Sequence, residues 1–137
     1  YLSVGDKLLS MSYNDAIVAS SAGIFPSYYE PWGYTPVETA ANGALSITTD
    51  LAGFGQFLEE NTDEEERKGI RVLSRRNQSD DEVADELADM INNIIGYSKT
   101  EITERKHNAR KLAQMTSWDK LGENYREAHR KAVNNHQ

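Results

Sequence analysis

Glu30 and Glu38 bracket the segment EPWGYTPVE, a Glu-x7-Glu pair whose intervening residues include two large rings, two prolines and a glycine. Glu30 precedes a proline, sits between Tyr29 and Trp32, and has no helix to cap. A carboxylate in that setting suits a sugar hydroxyl or a proton transfer, the structural alternative being a bond to loop amides. Gly33 permits close backbone approach, and the amides of Gly33, Tyr34 and Thr35 lead into a helix start. Orphan N–H groups and the helix dipole there favour a phosphate or diphosphate; the other reading is a proline-stiffened turn capped by Thr35. Glu38 divides in the same way. It stands three residues after Thr35, as a capping box requires, yet it could equally hold hydroxyl groups. Combined, these features outline a nucleotide-sugar site with an aromatic platform beside it.

Other chemistries find little support. The three histidines, His107, His129 and His136, lie in the distal half and lack the paired spacing of a metal ligand set, so no metal is expected. There is no cysteine, which removes disulfides and thiolate sites and fits a reducing, cytoplasmic setting. A G-x-S-x-G nucleophile elbow, a G-x-x-x-x-G-K-[ST] phosphate loop and a G-x-G-x-x-G turn are all missing. No bound cofactor is implied.

The elements that must position the two glutamates can be read around them. Tyr13 to Ala22 reads as a helix, Gly23 to Ser27 as a short buried strand, and Thr35 as the cap of a helix with Pro36 at its first position. That helix is expected to stop at Asn42-Gly43. Ala44 to Thr49 and Ile70 to Leu73 are further strands, with the segment Leu51 to Glu60 between them and an exposed Thr62 to Lys68 turn region. Alternating strands and helices predict an α/β fold, a parallel sheet with flanking helices. Ligands in such sheets lie beyond the carboxyl ends of the strands, which is where the SYYEPWGYTP loop falls. Beyond Asp80 the chain turns helical and charged: Val83, Leu87, Ile91 and Ile94 recur at helical spacing opposite an acidic face. Trp118, Leu121, Tyr125 and Ala128 form a second stripe, read as packing.

Length and charge set outer bounds. The chain has 137 residues, enough for one domain and its own core. A formal charge of −7 argues against a nucleic acid partner. No run of 18 or more apolar residues and no signal-like start are present, so no membrane association is expected.

The stretch GIFPSYYEPWGYTPVETAANGALSITTDLAGFGQFLEE, Gly23 to Glu60, resembles the C-terminal domain of the glycogen synthases of animals, fungi and some bacteria. It carries that family's aromatic block, its Glu-x7-Glu pair and a TTxLxGFG-like block at Thr48 to Gly55. Leu9 to Val18 fits the pattern upstream, and Ser117 to Gly122 is similar to the family's tryptophan-containing turn.

The resemblance implies a retaining glucosyltransferase of the two-Rossmann-domain (GT-B) type, using UDP-glucose as donor and the 4-hydroxyl of an α-1,4-glucan as acceptor. On this reading residues 1–78 are the nucleotide-sugar-binding part of a partial Rossmann-like domain, and residues 79–137 are its C-terminal helices. Glu30 would face the glucosyl group as the catalytic carboxylate, with the amides of Trp32 and Gly33 on its hydroxyls. Tyr34 and Thr35 would face the diphosphate, Glu38 the ribose hydroxyls, and Tyr13 would stack on the base. The family's basic side chains for the diphosphate, and its acceptor-binding N-terminal domain, precede the region covered, so the fragment alone is expected to be inactive. The stretch Glu104 to Lys111 departs from the family's arginine-rich effector helix, and no effector site is assigned. A related transferase with another donor or acceptor, and a non-catalytic nucleotide-sugar-binding domain, remain as alternatives. An incomplete sheet leaves homo-oligomerisation open.

Overall fold

The structure, a computed structural model, describes residue 5 and residues 10–135. Leu9 and His136 lie outside the described residues. Three parallel strands, β1 (Ala22–Ile24), β2 (Leu45–Thr49) and β3 (Ile70–Leu73), form one sheet in the order β1-β2-β3. Helix α1 (Tyr13–Ala19) precedes β1, α2 (Tyr34–Ala41) joins β1 to β2, and α3 (Gly53–Asn61) joins β2 to β3. Then follow α4 (Asp80–Gly96), α5 (Lys99–Gln114) and α6 (Trp118–Asn134). This is the expected α/β arrangement, a partial Rossmann-like unit with a helical C-terminal region.

Every residue of β2 is buried, as a central parallel strand covered on both faces requires. Alternation then divides the core in two. On one side Ile70 meets Ala40 of α2, Phe54 and Leu58 of α3, and Ala109, Leu112 and Ala113 of α5. On the other, Ile47 and Leu73 pack against Val83 and Met90 of α4, with Leu87, Ile91 and Ile94 around them. The acidic helix thus presents the apolar stripe its sequence spacing anticipates. Ser46 and Thr48 share the first face, and their buried hydroxyls have no hydrogen-bond partner.

Capping explains three of the six helix starts among the described residues. Ser12 with Asp15, Ser79 with Glu82 and Ser98 with Glu101 each form a reciprocal box at the starts of α1, α4 and α5. Asn42 and Gly43, the latter at φ 82°, end α2 where the sequence puts the stop.

Four expectations are corrected. The first strand runs Ala22–Ile24, not Gly23 to Ser27, because Pro26 has no N–H to continue the ladder beyond the bond from Phe25 N to Ile47 O. Helix α1 stops at Ala19, its carboxyl end closed by Ser20 N on Ile17 O and Ser20 Oγ on Ala16 O. Thr35 is not a cap. Gly33, at φ 105°, turns the chain into α2 two residues earlier, and Pro36 falls inside the first turn, where its missing N–H leaves no vacancy. Finally, α6 buries no residue: Trp118 is 73% exposed, and its ring lies beside that of Tyr125, centroids 5.5 Å apart.

Candidate functional site

Because the strands are parallel, the chain leaves all three on the same edge, and three loops meet there. Residues 25–33 follow β1, 50–52 follow β2, and 74–79 follow β3. Main-chain bonds fasten the first loop to the second. Glu30 pairs with Ala52 in an isolated parallel bridge, the amide of Gly53 donates to the Glu30 carbonyl at 3.0 Å, and the amide of Phe54 donates to the Trp32 carbonyl at 2.7 Å. The first amides of α3 are therefore occupied by protein carbonyls, so the Gly53-Phe54-Gly55 run anchors the loop and does not cradle an anion. Gly53 is required for that contact, and Gly55 for the close passage of α3 against the end of β2. A Cβ on Gly53 would collide with the carbonyl oxygen of Pro31, and one on Gly55 with that of Thr49.

Side chains add further ties. Thr49 Oγ1 donates to the Ser27 carbonyl at 3.0 Å. The Asp50 carboxylate accepts from the amides of Arg75 at 2.9 Å and Arg76 at 3.1 Å, joining the β2 and β3 loops. The Trp32 indole, half-buried, leans on Phe54 and Phe57 with centroids 6.0 and 5.7 Å away. The Trp32 ring thus holds the loop down against α3.

The six sequence-derived binding residues fall into two groups. Trp32, Gly33, Tyr34 and Thr35 lie consecutively at the start of α2, where the amides of Tyr34 and Thr35 have no intrahelical acceptor. Tyr13 and Glu38 meet across the cleft between α1 and α2, the tyrosine hydroxyl donating to Glu38 Oε2 at 3.1 Å. Since Thr35 makes no capping bond, the capping reading of Glu38 fails and its exposed carboxylate faces α1. Tyr13, Thr35 and Thr39 share a cleft of about 180 Å³ with Ile17, Gly23 and Phe25. Glu30, partly buried, stands on the same loop, and a Cβ at Gly33 would lie 3.5 Å from its Cγ.

Sequence reasoning passed over Asp50, Tyr28, Arg75 and Asp80. The guanidinium of Arg75 lies over the Tyr28 ring, 3.5 Å from its centroid, and Tyr28 Oη donates to Asp80 Oδ1 at 2.6 Å. That hydrogen bond holds the Tyr28 phenol above its ordinary pKa. The available signal was position: Asp50 and Arg75 stand one and two residues beyond the carboxyl ends of their strands. Among the described residues no cluster of His, Cys, Asp and Glu could hold a metal ion, and no helix is long and apolar enough to cross a membrane.

A half-sheet of parallel strands with its loops gathered at the carboxyl edge defines part of a Rossmann-like domain. A sequence model described as "Glycogen synthase" matches residues 1–136. The "Glycogen [starch] synthase" of Caenorhabditis elegans is 37% identical over 133 residues, covering 97% of this chain and 20% of the relative. Isoform 1 of the Saccharomyces cerevisiae enzyme is 33% identical over 127 residues, 91% of this chain and 18% of its own. The human liver enzyme is 34% identical over 128 residues, 93% and 18% respectively. The chain belongs to the glycogen synthase family. It spans about one fifth of the length of the curated relatives it matches.

Proposed function

We propose that this chain is the donor-binding portion of a retaining GT-B glucosyltransferase, a glycogen synthase that moves glucose from UDP-glucose to the 4-hydroxyl of an α-1,4-glucan. One observation carries the reading: Glu38 is released from helix capping and accepts from the hydroxyl of Tyr13, which lines, together with Thr35, the cleft between α1 and α2. Tyr13 stacks on the base and Glu38 accepts from the ribose hydroxyls. The amides of Tyr34 and Thr35, at the positive end of α2, take the diphosphate. The amides of Trp32 and Gly33 hold the glucosyl hydroxyls, and Glu30 lies against the glucosyl group as the catalytic carboxylate.

Developing charge on the leaving diphosphate is met by fixed dipoles, which need no reorganisation during the reaction. The α2 N-terminus supplies part of that field, and basic side chains preceding residue 1 supply the rest. Residues 1–78 form the nucleotide-sugar part and residues 79–137 the closing helices. The acceptor glucan binds a further domain outside this chain, so the chain alone does not turn over, and the whole protein works in the cytoplasm. A glucosyl-transfer assay, with a complete enzyme as positive control, tests the inactivity; turnover by the isolated chain refutes it.

The donor site is tested by NMR titration of the chain with UDP, UDP-glucose and ADP, alongside Glu38→Ala. Selective shifts at Tyr13 and residues 33–38 with the uridine compounds, weakened in the variant, are expected. Equal response to ADP points to a transferase with another donor, and no response in a folded chain removes the donor reading for this fragment.

A further inference from the structure

We propose that Arg75 is the positioning residue of the Glu30 loop, fixing its upstream arm so that the glucosyl end of the donor meets a preset surface. The inference rests on the donor reading above. Downstream of Glu30 the loop is bonded to α3 through the carbonyls of Glu30 and Trp32. Upstream, the Tyr28 ring is anchored in no core cluster; Tyr28 is 67% exposed. Apart from the bond of Thr49 Oγ1 to the Ser27 carbonyl, Arg75 supplies the attachment of this arm. Its side chain is 8% exposed, with Nη1 donating to the Pro26 carbonyl at 2.7 Å and Nη2 3.5 Å from the Asp80 carboxylate. Its guanidinium face covers the Tyr28 ring, whose hydroxyl reaches the same carboxylate.

Arginine suits this position for a physical reason. A planar guanidinium can stack on a ring while its in-plane N–H groups bond a carbonyl and a carboxylate, whereas an ammonium cannot do both. Burying a cation is unfavourable unless it is paired, and here ring, carbonyl and carboxylate all compensate it. The backbone of Arg75 is itself held by Asp50, so the attachment point is as fixed as the sheet edge. Glu30 is thereby restrained from both directions.

The experiment compares the chain with Arg75→Ala and Arg75→Lys by amide hydrogen exchange without ligand and by titration with UDP and UDP-glucose. In Arg75→Ala, exchange at residues 27–33 should quicken about tenfold while the amides of Ala109, Leu112 and Ala113 keep their protection. The preference for UDP-glucose over UDP should fall by about tenfold, with UDP affinity held within about twofold. Arg75→Lys should lie between the two. Unchanged loop exchange, exchange that rises equally in α5, or an unaltered sugar preference in a chain that binds UDP-glucose each overturn the proposal. A wild-type chain that binds neither nucleotide defeats the donor reading instead, and the exchange pattern then decides alone whether Arg75 positions the loop.

Discussion

Tyr13 and Glu38, twenty-five positions apart, are joined by one hydrogen bond of 3.1 Å that spans α1 and α2. Under the proposed donor reading the bond occupies the carboxylate assigned to the ribose, so the two side chains must part or share when a nucleotide enters. We predict that Glu38→Gln, which keeps size but loses charge, weakens UDP binding by about tenfold, the scale of a hydrogen bond to an ionised acceptor. Tyr13→Phe retains the ring and should stay within about threefold of the parent. Calorimetric titration of both variants decides it, and a larger loss for Tyr13→Phe than for Glu38→Gln would contradict the assigned roles.

Gly33 is the residue on which α2 starts. At φ 105° a side chain is strained, and a Cβ would also press to 3.2 Å from Pro36 Cγ. Gly33→Ala should therefore cost about 1–3 kcal/mol in a denaturant titration. Such a loss, with an unchanged slope, places the damage in the native turn.

Phe54 is fully buried beneath Trp32, the ring that holds the loop from below. Removing it opens a cavity and frees the indole together. Phe54→Ala should lose about 3–5 kcal/mol of stability, and the fluorescence of Trp32 should move to longer wavelength in the folded variant. To separate it from the other tryptophan, the measurement is made in a Trp118→Phe background. An unshifted emission would mean that the indole does not depend on Phe54 for its burial.

Acid should loosen two helix starts. Hydrogen bonds from Ser79 hold the Glu82 carboxyl below its usual range, and bonds from Ser98 do the same for Glu101. A depressed folded pKa means that the native state binds fewer protons, so the stabilisation is fully present above the unfolded value, 4.5, and is lost as pH falls through the folded one. The melting temperatures of the parent and of a Glu82→Gln, Glu101→Gln double variant should differ at pH 7 and converge as pH falls below 4.5 and through the depressed folded values. A gap that persists undiminished at low pH would show that the carboxylate charge is not its source.

Local patterns carried much of this structure, and the misses have a common cause. Ile70 to Leu73 is bounded as the apolar run suggests, and Asn42-Gly43 ends α2 as its turn chemistry requires. The start of α2 was misread because Thr35, Pro36 and Glu38 satisfy a capping box on paper, while Gly33, with no Cβ, reaches a conformation that pre-empts it. Tyr28, Arg75 and Asp80 escaped notice because their partnership depends on how β1, β3 and α4 come together, which no local spacing records. The Trp118 stripe has helical spacing but is only partly covered: Trp118, Leu121 and Tyr125 line an open cleft with Trp32 and Tyr34, and no residue of α6 is buried. Its periodicity reports a helix with one apolar face and says nothing of what that face meets.

The bonds from Gly53 and Phe54 to the carbonyls of Glu30 and Trp32 involve main-chain atoms alone. These two moorings use no side chain of the loop, so they do not depend on which residues stand at its exposed positions. Pro31 and Tyr34 are exposed between or beside the moorings, so they form the most replaceable lettering on an otherwise fixed line. A randomised library at these two positions could therefore explore new sugar preferences while inheriting the geometry of the loop, whereas the same diversity at Gly53 or Gly55 would dismantle it.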